Sequence, residues 1–279
     1  MLRARAATVL LVAACLTGAC SDDEPGDDRP GPDLPTRTVP PRPAVLERDG
    51  PPVEVTVLQY NIQFADAGID AVARDIRESG AEVVLLNEID DRRSTGGLQQ
   101  AAYLAEELGM SYANDANGDV RDGVRGNAVL TSWDITYVRR YPLPRPEGTE
   151  QRGLMNVVVR DGDVQLDVWT THLNPDIGTL EQARRVRTLI GRPDCATVFA
   201  GDLNVRPYRN PPQLLRKHLG DVWRYVGEGV GGTNRAGDRR IDYMYFRNAE
   251  PLTAVVAERS ASDHRRLLAT FRVDPRDNC

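Results

Sequence analysis

The sequence predicts a mixed α and β domain in which two β-sheets pack face to face with helices outside. Three observations carry this. Short apolar, β-branched runs recur from residue 53 to residue 273 and outnumber the helical patterns. Helical patterns interrupt these runs at intervals. A chain of 279 residues, 41% hydrophobic and 27% charged, suits one globular domain of fair size, or at most two. Two facing sheets with outer helices are the economical way to bury one face of each element. Periodicity by itself goes no further than "α and β mixed".

Residues 53–60 alternate and are β-branched, which predicts a strand. Ile69, Val72, Ala73 and Ile76 recur at helical spacing, and Gly80 follows as a stop signal. Residues 82–86 read as a buried strand and 98–108 as a helix. Residues 114–126, rich in Asp, Asn and Gly, read as a loop. Strands are expected at 128–131, 135–141, 154–159 and 164–171. A helix follows at 180–190, a strand at 196–200 and a helix at 212–219. The last strands are expected at 241–246, 252–256 and 267–273. No internal repeat is visible.

The N-terminus reads as an address. Arg3 and Arg5 precede a small, apolar stretch from Ala6 to Ala19, and Cys20 then opens a polar segment. A cysteine there resembles a bacterial lipoprotein cleavage site. Cys15 competes, since Val12-Ala13-Ala14 suits the usual residue preferences. Cys20 leaves a longer apolar core and is favoured as the lipidated residue. Residues 1–20 are thus expected to be a lipoprotein signal peptide. Residues 21–50 form a Pro/Asp-rich tether without enough apolar surface to offset its ordering entropy. Residues 51–279 form the domain. The expected location is outside the cell, lipid-anchored on the outer face of the cytoplasmic membrane or secreted, with the anchor as the sole membrane contact. No apolar run reaches the roughly 18 residues that a spanning helix needs.

The formal net charge is −6. Residues 21–50 hold eight acids and four arginines, and Arg3 and Arg5 are the other charges before residue 51, leaving 51–279 at −4. That is not the footprint of a duplex-DNA binder, although local arginine clusters can still line a groove. Cys195 and Cys279 remain inside the domain, and export permits a disulfide between them. Neither has Cys or His at ligand spacing, which argues against a metal role.

Polar residues repeatedly follow the ends of apolar strands. Asn61 follows Val57-Leu58-Gln59-Tyr60, and Asn87-Glu88 follows Val83-Val84-Leu85-Leu86. His172 follows Val168-Trp169-Thr170-Thr171, and Asp202 and Asn204 follow Val198-Phe199-Ala200-Gly201. Asp242 opens a strand, and Asp263-His264 sits just before the last one. Such groups can converge at the rim of a sheet, where ligands sit. The set contains carboxylates, amides and imidazoles without thiolate, which suits Mg²⁺ or Mn²⁺.

Seven short motifs occur in order: Tyr60-Asn61-Ile62, Asn87-Glu88, Gly126-Asn127-Ala128-Val129-Leu130, Thr171-His172-Leu173-Asn174, Gly201-Asp202-Leu203-Asn204, Arg240-Ile241-Asp242-Tyr243 and Ser262-Asp263-His264-Arg265. Each is weak alone. As an ordered series over about residues 53–273, they resemble the endonuclease/exonuclease/phosphatase superfamily. The resemblance implies a four-layer α-β-β-α sandwich and a metal-dependent hydrolase of phosphate esters. It makes Glu88 the principal metal ligand, with Asn61 and Asp263 close by. His264 resembles the catalytic histidine, with Asp242 orienting its ring. Asp202 and Asn204 resemble the pair that positions water and phosphoryl oxygens, and His172 resembles a second, phosphate-contacting histidine. Asn127 would support the site. Arg152, before a strand, is a candidate to face phosphate. Gln63 stands where some nucleases of the superfamily carry a metal-holding acid, so one ion is expected. Asn87 replaces the more usual Gln.

Those roles fit the chemistry. Phosphoester hydrolysis needs neutralised phosphoryl oxygens, a positioned water and a stabilised leaving oxygen. A histidine with pKa near ~6.5 exchanges protons at neutral pH, and an aspartate behind it fixes its tautomer. The first expectation is a phosphodiesterase, with nucleic acid among its substrates. The second is a hydrolase of phospholipid headgroups or small phosphomonoesters. A binding module that has lost catalysis is the third, and the intact His264, Asp242 and Asp263 argue against it. A monomer is expected. Arg235, Arg239 and Arg240, which flank Asp242, are candidates to grip an anionic substrate. His218 and the Arg184-Arg185-Val186-Arg187 run read as solvated helix faces.

Overall fold

The first strand shows how the sequence builds the core. In β1 (Val53–Asn61), Val55 and Val57 are fully buried between two sheets, while Leu58 and Tyr60 pack on the opposite face. This is the two-residue alternation of a strand with both faces covered. The computed structural model describes residues 50–91, 96–120 and 123–278. The expected signal peptide, most of the tether, Cys15, Cys20 and Cys279 lie outside the described residues.

After β1 come α1 (Ile69–Ser79), β2 (Val83–Asp90), α2 (Gln100–Leu108), β3 (Ser111–Val120), β4 (Gly123–Thr131) and β5 (Asp134–Pro142). Next are β6 (Gly153–Asp161), β7 (Val164–His172), α3 (Thr179–Ile190), β8 (Thr197–Asp202) and α4 (Asn210–Leu215). The chain ends with β9 (Gly220–Asp221), α5 (Val222–Val226), β10 (Asp242–Arg247), β11 (Glu250–Val256) and β12 (Leu267–Val273). One sheet has the order β11-β12-β1-β2-β4-β3 and the other β5-β6-β7-β8-β10-β9. Both are mixed: β1 runs parallel to β2, and β7 parallel to β8.

The apolar residues fall into three layers. Val57, Leu85, Val129, Val168, Val198, Met244 and Phe271 belong to the core between the sheets. Leu58, Leu86 and Leu130 pack outward against Val72 and Ile76 of α1 and Leu104 of α2. Trp169, Phe199 and Tyr245 pack outward against Val186 of α3 and Leu215 of α4. Three apolar layers between four layers of secondary structure make the expected α-β-β-α sandwich.

Some local expectations are corrected. Residues 114–126 are not a loop: β3 and β4 pair antiparallel through this stretch, with a register shift between Ala116 and Gly118. β3 is an edge strand, and its ladder bonds with β4 outweigh local turn preference. The expected 98–108 helix begins at Gln100, and the 212–219 helix is Asn210–Leu215. His218 follows it in a turn and its Nδ1 lies 2.8 Å from the Gly191 carbonyl, a structural tie to the end of α3. Cys195 is disulfide-bonded, with its partner outside the described residues. Beside it, Ala196 N donates to Asp277 O at 2.7 Å, bringing the C-terminal segment alongside.

Candidate active site

The inward faces of the central strands are aliphatic along most of their length and turn polar at one common end. β1 passes from Val55 and Val57 to Gln59 and Asn61, and β2 from Val83 and Leu85 to Asn87. β7 passes from Val168 to Thr170 and His172, and β8 from Val198 and Ala200 to Asp202. β10, running the other way, begins with Asp242 before Met244. The strand register sets these residues side by side. Asn61, Asn87 and Asn127 form one rung across the first sheet. His172, Asp202 and Asp242 form the facing rung across the second.

Hydrogen bonds join the two rungs. Asn87 is their hub, buried completely. Its Oδ1 accepts from Gln59 Nε2 at 2.7 Å and from the Asp202 backbone N at 2.9 Å in the other sheet. Its Nδ2 donates to Asn127 Oδ1 at 2.7 Å and to Thr171 O at 3.1 Å. Gln59 and the hub role of Asn87 were not anticipated. A polar residue at an inward position of β1 was the available signal for Gln59.

Glu88 reaches the site through a backbone irregularity. The β2–β4 register shifts between Asn87 and Ile89, and Glu88 has φ +59. The extra residue turns Glu88 towards Asn61, while Ile89 resumes the outward face. Asn61 Nδ2 donates to Glu88 Oε1 at 3.0 Å and to Asp202 Oδ2 at 3.2 Å. Two motif glycines have a packing cause. A Cβ at Gly201 would overlap the Thr171 carbonyl, and one at Gly126 the Asp115 carbonyl.

His264 Nδ1 lies 2.8 Å from Asp242 Oδ2, and its Nε2 lies 3.7 Å from Asp202 Oδ2. Ser262 Oγ anchors this loop by donating to Asn61 O at 2.7 Å and accepting from His264 N at 3.1 Å. Burial opposes a charge on His264, but the charge and hydrogen bond of Asp242, with Asp202 and Asp263, outweigh it and lift its pKa to about 10. Asp202 is pushed up to about 7, first by burial and then by Asp242.

His172 differs from His264. Arg152 Nη1 lies 2.9 Å from its Nδ1, and its Nε2 lies 3.5 Å from Asp202 Oδ2. Burial, then Arg152 and His264, holds its pKa well below the ordinary value, which keeps it neutral. The Asn204 amide sits 2.9 Å from the same Nε2, and the Asn204 backbone N donates to Asp202 Oδ1 at 2.8 Å. Arg152 Nε also donates to Asn174 Oδ1 at 3.1 Å. Two histidines in one cleft therefore hold opposite protonation states.

The model of the endonuclease/exonuclease/phosphatase family matches residues 58–264. The chain belongs to this family. An endonuclease/exonuclease/phosphatase from Beutenbergia cavernae is 26% identical, with a TM-score of 0.67 over 79% of this chain and 72% of that one. A family protein from Bacteroides thetaiotaomicron is 15% identical, with a TM-score of 0.68 over 80% and 99%. A mannosyl-6-phosphatase from the same organism is 14% identical, with a TM-score of 0.64 over 78% and 99%. No curated protein matches the sequence. Members of the endonuclease/exonuclease/phosphatase family are metal-dependent phosphoesterases, and this chain is one.

Two groups of residues fit a divalent cation. Glu88 is half-buried, and burial raises its pKa despite the Asn61 hydrogen bond and the nearby charges of His264 and Arg152. Asp263 adds to the negative potential at Glu88. Asn61 Oδ1 accepts from Gln63 N at 3.0 Å, so this amide also braces the turn after β1. Asp202, Asp242 and His264 also present ligating atoms within 4.8 Å of one another. There, His264 Nδ1 and Asp242 Oδ2 are bonded to each other, while Asp242 Oδ1 is buried without a partner. Oxygen-rich sets of this kind suit hard cations.

Arg240 does not grip substrate. It is buried, with Nη1 and Nη2 donating to Asp221 Oδ1 and Oδ2 at 2.7 and 2.9 Å, and it stacks over Tyr243. Arg235 and Arg239 remain exposed.

Proposed function

We propose that this enzyme hydrolyses a small organic phosphate ester with Mg²⁺ or Mn²⁺, one ion being held by Glu88 with Asn61 and Asp263. Bound there, the cation supplies Lewis acidity and neutralises phosphoryl charge. The protein's own groups supply the rest. His264, oriented by Asp242, exchanges the proton at its Nε2. Asp202 and Asn204 orient the attacking water and phosphoryl oxygens, and neutral His172 with charged Arg152 contacts the phosphate. Asn127 supports them through Asn87.

The observation that carries this reading is the meeting of both rungs at one end of the sandwich, with His264–Asp242 at one side and Glu88–Asn61 at the other. A second observation favours a small ester over a nucleic acid strand. Next to Glu88 and His172 lies a pocket lined also by Phe64, Asn117, Glu150 and Gln151. The −4 charge of residues 51–279 points the same way.

The test is hydrolysis of p-nitrophenyl phosphate and bis(p-nitrophenyl) phosphate with Mg²⁺, with Mn²⁺ and with EDTA. Glu88→Gln should lose activity by about 10² or more and weaken Mg²⁺ binding measured by calorimetry. Full activity in EDTA rejects the proposal. A preference for long single-stranded DNA over small esters restores the nuclease reading.

A further inference from the structure

The pocket beside Glu88 and His172 contains a charge arrangement that the reaction itself does not require. Arg125 and Arg152 line it together, and Glu150 lies between them. Arg125 Nη1 is 3.4 Å from Glu150 Oε1, and Arg152 Nη2 is 3.9 Å from Glu150 Oε2. Arg125 also faces the buried Asp90 carboxylate, with Nε 3.5 Å from Oδ2. Its guanidinium carbon lies over the Phe64 ring, 4.0 Å from the centroid.

This arrangement is braced. Glu150 belongs to the 143–152 connection between β5 and β6. Leu143 N donates to Arg152 O at 2.9 Å, and Gln151 Nε2 donates to Leu143 O at 2.8 Å. Phe64 sits in a run of three left-handed residues, Gln63, Phe64 and Ala65, with φ of 48, 54 and 58°. Such backbone persists when its surroundings overdetermine it. Gln100 does so, donating through Nε2 to Phe64 O at 2.8 Å and accepting from Asp90 N at 2.9 Å.

Two arginines beside a phosphate site would ordinarily attract a second anionic group. Glu150 already occupies that position, and Asp90 further neutralises Arg125. A ligand carrying a second phosphate must displace the Glu150 carboxylate or face it as a like charge. A neutral, hydroxyl-bearing group meets a planar donor in Arg125, an acceptor in Glu150 and a ring in Phe64. Building repulsion against the wrong ligand is a general route to specificity.

We propose that Glu150 is a specificity-determining residue that makes this pocket take the neutral, polyhydroxylated alcohol portion of a monophosphate ester and reject a second phosphate. The inference rests on the small-ester reading above and adds the charge class of the substrate.

The experiment compares kcat/KM for glucose 6-phosphate and glucose 1,6-bisphosphate, with p-nitrophenyl phosphate as a reporter of the reaction, in wild type and Glu150→Gln. Glu150 has a side chain 47% exposed, so the variant keeps the fold. Wild type should favour the monophosphate about tenfold or more. Glu150→Gln should lower that ratio by about tenfold, the scale of one removed like-charge opposition. A merely structural role would lower both rates together and leave the ratio unmoved. An unchanged ratio with the aryl ester still hydrolysed overturns the role of Glu150 alone, as does a wild-type preference for the bisphosphate. Failure to hydrolyse the aryl ester as well as both sugar phosphates overturns the small-ester reading and this inference with it.

Discussion

His264 and Asp242 form a buried pair, with Nδ1 2.8 Å from Oδ2, although 21 residues separate them in the chain. Arg240, two residues before Asp242, is held instead by Asp221 in a bidentate pair.

If the pair works as a unit, its effects on rate are not additive. His264→Ala should cost roughly 10²–10⁴ in kcat, the scale of a positioned acid–base group. Asp242→Asn should cost a similar or smaller factor. The double variant should be little slower than His264→Ala, because an absent ring cannot be oriented. The check is steady-state kinetics on all three variants after circular dichroism has shown them folded. Single-variant losses that multiply in the double variant mean that the two residues act independently.

The same cluster makes the metal-free protein sensitive to pH. Asp202 has its folded pKa raised to about 7, so its contribution to stability is lost as pH rises through 7. His264 is raised to about 10, so its contribution is complete below its ordinary value and is lost as pH climbs towards 10. Both slopes have one sign above pH ~6.5, the ordinary histidine value, where His172 is neutral in either state. In EDTA, Tm should therefore fall between pH 6.5 and pH 10, and Asp202→Asn should flatten the lower part of that fall. Differential scanning calorimetry across this range decides it, and a flat or rising Tm contradicts the assignment.

From the N-terminal sequence we propose export, a setting in which a disulfide at Cys195 is permitted. Its proposed partner is Cys279. Mass spectrometry of unreduced protein should recover a Cys195–Cys279 peptide, and labelled palmitate should mark the chain unless Cys20 is replaced by Ala. The bridge closes a loop of roughly 80 residues, worth up to about 4 kcal/mol in the chain-entropy model. Alkylation of Cys279 in native protein would refute the pairing. Palmitate label that survives in Cys20→Ala and disappears in Cys15→Ala would move the lipidation site.

The sequence by itself determined most of the fold and named most of the residues that the fold gathers at the candidate site. Apolar, β-branched runs marked the strands of both sheets other than β3 and β9, because period two is a local property of the chain. Polar residues at the ends of those runs marked Asn61, Glu88, His172, Asp202 and Asp242, because an interior polar group needs a partner or a ligand. Where partners come from distant segments, local pattern was silent. Only the tertiary structure decided that β3 and β4 pair through an Asp/Asn/Gly-rich stretch, because ladder bonds with a neighbour overrule turn preference. Only it decided that Asp221 claims Arg240, that Asn87 ties one sheet to the other, and that His172 is neutral beside a charged His264. These outcomes depend on burial and on charges brought within a few ångströms by strand register, and spacing along the chain carries no record of either.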